Sequence, residues 1–179
     1  MVERARAAAE ERLSGFPRRL AHVRAVASTA ERLVASLDLG SEGSDAVVTA
    51  AWLHDIGYAE SVRTKGFHPV DGAAFAREHG FPAVVVSLIA YHTGAVFEAQ
   101  QRGLSNLMDE FDEPAGLLLD VLTCADMKTG PDGSAVTGQD RIAEILSRYG
   151  PDDPVHRAIE RSAPTLLAAV ARVDALRSE

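Results

Sequence analysis

The chain is poor in the features that would tie it to an oxidising compartment, to nucleic acid or to a membrane. Its one cysteine, Cys124, allows no internal disulfide, so a reducing compartment is the natural reading. Aromatic residues make up only 6%, against abundant alanine, leucine and valine, a composition that suits close-packed helices. There is no basic excess. Lys and Arg number 18 against 26 Asp and Glu, a formal charge of -8, which argues against a nucleic-acid-binding surface and leaves room only for a local basic pocket. No apolar run is long and unbroken enough for a membrane span. The first residues, with Glu3, Arg4, Arg6, Glu10 and Glu11, lack the apolar core of a secretory signal. Internal repeats and long linkers are missing too. The expectation is a cytoplasmic chain with neither nucleic acid nor membrane as a partner. Its 179 residues, 46% of them hydrophobic, suit one domain with a substantial core.

Hydrophobic spacing then reads as helix throughout. Residues 2–13 form a polar surface helix, closed by the break Gly15-Phe16-Pro17, with Pro17 suited to the first position of the next helix. Leu20, Val23, Ala27, Ala30, Leu33, Val34 and Leu37 make a helical stripe that ends near Leu39-Gly40. Residues 41–44 read as a loop, followed by a helix to His54 or Ile56. His68-Pro69 opens another, with His68 at the cap and Asp71 in the first turn, and Gly80 ends it. Residues 83–92 are valine-rich, which admits a strand. The lack of alternation, and the flanking Pro82 and Gly94, favour a buried helix. Residues 94–112 read as a short helix and a loop, with Asp109, Glu110, Asp112 and Glu113 exposed. A central apolar helix covers 114–127, and 130–138 is a Gly-, Pro- and Asp-rich loop. Thr137 caps a helix through Tyr149. The last segment is helical but interrupted before Pro164, which lacks the N–H for the internal bond. Elements of one type joined by short loops predict an all-α, single-domain helical bundle. Its polar helix occupies 1–16 and its main body 17–179.

The most informative residues are the adjacent His54 and Asp55, which end an otherwise apolar run before Gly57. A helix there would close at Gly57, a residue type that readily takes the left-handed conformation. Asp55 would then lie in the last turn, where the helix dipole disfavours negative charge and a cation would compensate. An isolated His-Asp pair is as readily a solvated one. Four further ligand-type residues, however, fall at the ends or edges of buried helices: His22, His68, His92 and Asp126. Imidazole and carboxylate together suit zinc, iron, manganese and similar ions. Four His and two Asp exceed one closed tetrahedral site and suffice for two metals with open positions, one Asp bridging. His79 and His156 stand among charged residues and read as surface side chains.

His22, His54-Asp55 and Asp126, in that order, resemble the H…HD…D signature of the HD-domain superfamily of metal-dependent phosphohydrolases. His68 in His-Pro-Val-Asp-Gly-Ala and His92 in Tyr-His-Thr-Gly resemble the two extra histidines of its binuclear members. The resemblance covers residues 17 to 130, with the C-terminal helices at 137–179 outside it. It implies hydrolysis of a phosphate ester or phosphoanhydride of a nucleotide or other small phosphorylated metabolite. The implied cofactor is one or two divalent metal ions (Mn, Fe, Co, Ni, Zn or Mg). Such an ion lowers the pKa of water and polarises a phosphoryl oxygen. Asp55 would bridge or orient, and help accept the water's proton. Several binuclear members carry a lysine three residues after the Asp, where this chain has Tyr58. Gly57-Tyr58 is followed by Ala59, so the Gly-Tyr-Pro signature of the cyclic-dinucleotide phosphodiesterases is missing.

Phosphate also needs fixed positive charge. Arg18 stands four residues before His22, on the same helix face, and is the favoured catalytic and substrate-binding cation. Lys128, Lys65 and Arg63 are further candidates for holding substrate. Two alternatives stand beside hydrolysis. One is an HD-fold mixed-valence di-iron oxygenase acting on a C–H bond of a polyol or phosphonate, which uses the same six ligands. The other is a catalytically silent nucleotide-binding module. A homodimer through exposed apolar helix faces is a further expectation.

Overall fold

The computed structural model describes residues 1–177, and among these the chain is all helical: nine α-helices, three short 3-10 turns, and a single isolated bridge between Thr129 and Ala135. The helices are α1 (Val2–Arg12), α2 (Pro17–Val34), α3 (Gly40–Leu53), α4 (His68–Glu78), α5 (Ala83–Tyr91), α6 (Ala95–Arg102), α7 (Gly116–Met127), α8 (Gly138–Arg148) and α9 (Pro154–Leu176). The all-α bundle expected from the spacing is the fold observed.

The apolar stripe of α2 explains its place. Leu20, Val23, Val26, Ala27, Ala30 and Leu33 are all buried, and α2 packs on both α3 and α7. Each of those two helices is buried over its second half, Ala46–Leu53 in α3 and Val121–Met127 in α7. Buried elements with no polar face must lie at the centre of a bundle. The C-terminal ends of α3 and α7 therefore meet the middle of α2 in the interior, which brings His54-Asp55, Asp126 and His22 together. The α4–α5 pair packs alongside, and α9 lies across α6, α7 and α8.

Four local expectations change. Helix α1 shows solvent its charged face, yet Ala5, Ala9 and Leu13 are fully buried against the shared core. Small alanines let it approach α3 closely. Residues 41–44 are helical: α3 begins at Gly40, whose φ of +66° turns the chain into the helix. Helix α9 runs unbroken through Pro164. That proline is exposed, and so is Glu160 one turn earlier, so the carbonyl that loses its internal bond faces water. The buried row Ala158, Ile159, Ser162, Leu166, Ala169, Val170 and Val173 holds both halves on one axis. His156 is half-buried rather than superficial, with its Nδ1 on the Tyr149 carbonyl at 2.9 Å; His79 is exposed as expected. The 20-residue stretch Ala83–Arg102 has the length and composition of a membrane span, but it is two helices broken at His92–Gly94 and half of it is buried.

Candidate metal centre

Six side chains from five elements converge in the interior. His22, His54, Asp55, His92 and Asp126 are buried, and His68 is nearly so. They fall into two groups of three, His22/His54/Asp126 and Asp55/His68/His92, and within each group the ligand-type atoms lie within 4.8 Å of one another.

Asp55 joins the groups. Its Oδ2 is 3.9 Å from His22 Nε2 and 3.5 Å from His54 Nε2, while its Oδ1 is 3.6 Å from His68 Nε2. One carboxylate oxygen thus faces each set. This placement comes from the end of α3. His54 closes that helix, and Asp55 lies beyond it, at the start of the 3-10 turn Ile56–Tyr58. Gly57 is not left-handed, contrary to the sequence expectation. It is glycine because a Cβ there would stand 2.1 Å from the His68 carbonyl oxygen and 2.8 Å from the Gly72 amide nitrogen. The backbone of the turn rests directly on the first turn of α4, and that contact delivers His68 to Asp55.

The tautomers follow from the backbone. The Nδ1 atoms of His22, His54 and His92 lie 2.9, 2.8 and 2.7 Å from the carbonyl oxygens of Gly130, Ala51 and Ile89. A carbonyl only accepts, so each Nδ1 carries the hydrogen and donates it. His54 and His92 in this way fold back on the last turn of their own helices, satisfying carbonyls left open there. Gly130 is held for His22 by the bond from its amide to the Ser134 carbonyl. In the neutral ring each Nε2 is then a bare lone pair aimed inward, the form that ligates a metal, with the outer bond fixing the ring.

Two contacts decide what the cluster lacks in the way of internal partners. His54 Nε2 and Asp126 Oδ1 are buried with no hydrogen-bond partner among the described residues. His22 Nε2 approaches Asp126 Oδ1 to 3.1 Å. The two Nε2 atoms of His68 and His92 are 3.3 Å apart. With the hydrogen of His92 on its Nδ1, His68 Nε2 is the donor across that contact, whereas the unpartnered His54 Nε2 and Asp126 Oδ1 cost on the order of several kcal/mol unless a cation stands between them. The donor set, imidazole nitrogens and carboxylate oxygens, suits a divalent transition metal.

Electrostatics agree. Burial opposes ionisation of Asp55, but His54, Arg19, His68 and His22 together hold its carboxyl well below the usual range. Burial is likewise overcome at Asp126, chiefly by His22, and its carboxyl also sits far below normal. His54 and His68 are pushed down by burial and so stay neutral. Burial also opposes protonation of His22, yet Asp126 and Asp55 outweigh it and raise its pKa.

A second layer fixes the carboxylates. The Thr93 hydroxyl donates to Asp126 Oδ2 at 2.5 Å, from a backbone with φ of +43°, the one non-glycine residue at positive φ among those described. A β-branched residue in that region is strained, and such strain gathers at functional sites. Gly94 follows at φ +78°, close against Ser162 of α9. Arg19 Nη1 donates to Asp55 Oδ2 at 2.6 Å. Its guanidinium lies 3.8 Å from the Tyr58 ring centre, and that ring stacks on His68 at 4.1 Å.

The scan against family models decides the affiliation: the HD domain model matches residues 19–130. The chain belongs to the HD-domain family. The match covers more than half of the chain and includes all six converging residues, so the resemblance read from the ordered motif holds. Neither a curated protein nor a solved structure matches the chain. The candidate ligands of this HD domain are the six that the sequence singled out.

The candidate cations fare differently. Arg18 is exposed and lines a cavity beside the cluster, while its neighbour Arg19 makes the contact to Asp55. A helix turn of 3.6 residues places both on the His22 face, and spacing alone does not choose between them. Lys128 points away from the cluster and pairs with Asp174. Lys65 and Arg63 are exposed; the backbone amide of Lys65 serves to bind Asp71 at 2.7 Å, clamping the loop onto α4. Arg141 and Arg148 of α8 border the same opening as Arg19, as do Thr93 and Glu98. Arg141 and Arg148 had no signal in the sequence beyond residue type, since α8 lies outside the motif region.

Proposed function

We propose that this HD domain hydrolyses a phosphate ester or phosphoanhydride of a small metabolite, using two divalent transition-metal ions. The observation that carries this reading is Asp55, with one oxygen turned toward His22 and His54 and the other toward His68. A carboxylate shared by two histidine-rich sets is what a pair of ions needs to sit close together. The first ion would be held by His22, His54, Asp55 and Asp126, and the second by Asp55, His68 and His92. When bound, such ions activate water near neutral pH and stabilise charge on a phosphoryl oxygen.

The chain's own residues have distinct tasks. Asp55 and Asp126 are so strongly held in the ionised state that they are poor proton stores, and their role is to hold and orient. Thr93 fixes the second oxygen of Asp126. Arg19, charged and half-buried beside Asp55, is placed to meet a phosphoryl oxygen; it takes the part first assigned to Arg18. Tyr58 and His68 stack beside Arg19 and limit its movement.

The test is a purified protein assayed for bound metal and for phosphate release from nucleotides and generic phosphodiesters with Mn, Mg, Co and Fe. Turnover that disappears in Asp55→Ala together with bound metal supports the reading. Bound iron with oxygen-dependent turnover, and no phosphate release, would replace it with the oxygenase chemistry that shares these ligands.

A further inference from the structure

Beside the metal cluster lies a larger cavity, of about 380 Å³, whose walls carry Arg18, Arg19, Arg141 and Arg148 together with the apolar Phe16 and Pro131. It shares Arg19, His22, Arg141 and Arg148 with the opening over the cluster, so the two spaces adjoin at those side chains. No carboxylate lines it among the described residues. Four guanidiniums around one space is a strong concentration of positive charge in a chain of net charge -8.

The acids near these arginines, Glu144, Asp55 and Asp126, offset part of their charge, and all three lie outside the walls of this cavity. Glu144 Oε2 accepts from both Arg141 Nη1, at 2.7 Å, and Arg148 Nη2, at 3.0 Å. One carboxylate thus serves two cations. Arg19 is bound to Asp55, and Arg18, whose charge favours ionisation of Asp132 less than Ser134 does, forms no salt bridge among the described residues. Arg141 is buried, at 9% exposure, and its Nε has no hydrogen-bond partner. A guanidinium presents a planar fork of donors, and a buried donor left unmade is costly. Its side chain lines the wall of the cavity.

We propose that this cavity is an anion subsite, and that the substrate carries at least two phosphoryl groups: one at the metal cluster, the next among Arg18, Arg19, Arg141 and Arg148. The inference rests on the hydrolase reading and narrows it to phosphoanhydrides. Water adds to the phosphorus at the cluster, and the bond from that phosphorus to the bridging oxygen breaks. The bridging oxygen leaves with the electron pair on the phosphoryl group held by the arginines. One proton of the water stays with the released phosphate and the other passes to solvent. Bidentate, charge-assisted bonds from the arginines stabilise the leaving group as its charge grows.

The test is a titration of the purified protein with inorganic phosphate and with inorganic tripolyphosphate, with metal content measured after each run so that metal stripping is recognised. The wild type is expected to bind tripolyphosphate at least tenfold more tightly than phosphate, about the effect of one or two charge-assisted bonds. Replacing the exposed Arg18 and Arg148 together (R18Q, R148Q) is expected to reduce that ratio roughly tenfold, with the circular dichroism spectrum retained. Arg141→Lys, which keeps the charge and removes the fork, is expected to lower it too. Equal binding of the two anions by the wild type, or an undiminished ratio in the double variant, would overturn the proposal. Failure of hydrolysis with the binding preference intact would count against the hydrolase reading and leave the subsite standing. Binding of neither anion would remove both.

Discussion

Gly57→Ala puts the placement of Asp55 to a quantitative test. The new methyl would stand 2.1 Å from the His68 carbonyl oxygen and 2.8 Å from the Gly72 amide nitrogen. A carbon meets a carbonyl oxygen at about 3.3 Å, so the turn and the first turn of α4 must separate by about 1.2 Å. Both obstructing atoms are backbone, so no side chain can swing away. Overpacking of this kind costs about 1–3 kcal/mol, and the rigid neighbours place it at the upper end. For a chain of this length, about 3 kcal/mol lowers Tm by about 6–12 °C. The same separation draws His68 Nε2 away from Asp55 Oδ1, now 3.6 Å apart. Metal–ligand bonds tolerate only a few tenths of an ångström, so the Asp55/His68/His92 ion should be lost first. Thermal melting followed by circular dichroism, with metal analysis of the same sample, checks both effects. A variant that melts within about 2 °C of wild type and keeps its full metal content would refute the claim that this backbone contact sets the site.

Other outcomes follow from the same geometry. Thr93→Ala removes the donor to Asp126 Oδ2 and should weaken metal binding about tenfold, the size of effect expected for a partner behind the ligands, as read by competition with a chelator. In the metal-free protein His22 is shifted above its ordinary pKa, so metal must displace a proton from it, and affinity should fall about tenfold per pH unit once the pH drops below that raised value. Asp55 and Asp126 have depressed values in the fold, so their stabilising contribution is present above the unfolded pKa of about 3.9 and is lost as the pH falls below it; an acid titration followed by circular dichroism measures the loss. Pro164→Ala restores an N–H to an exposed helix position and should raise Tm by a few degrees, since the regained helix preference of about 3 kcal/mol exceeds the unfolded-chain entropy that proline removes; a lower Tm would show that the proline suits α9.

The candidate ligands were legible because ligation needs particular side chains in a particular order, and order survives in one dimension. His22, His54-Asp55, His68, His92 and Asp126 could be named before any geometry, and all six converge. The helices were legible from their apolar stripes, α5 included, where the lack of alternation outweighed the valines. What was hidden depended on contacts between distant segments. The need for Gly57 comes from the carbonyl of His68, eleven residues on, and not from its own φ. That Arg19 rather than Arg18 contacts Asp55 is a matter of a single helical step. Arg141 and Arg148 reach the site because α8 packs on α9 and α7 beside the opening. The continuity of α9 through Pro164 was hidden because the buried row along that helix outweighs one missing bond.

Metal analysis of the wild type beside His54→Ala and His92→Ala examines the two-ion centre itself, because each variant removes a ligand from one set only. Two ions per chain in the wild type and about one in each variant is the predicted result, with His54→Ala losing the His22/His54/Asp126 ion and His92→Ala the other. A wild-type protein that binds no divalent ion, or variants that keep the wild-type content, would contradict it.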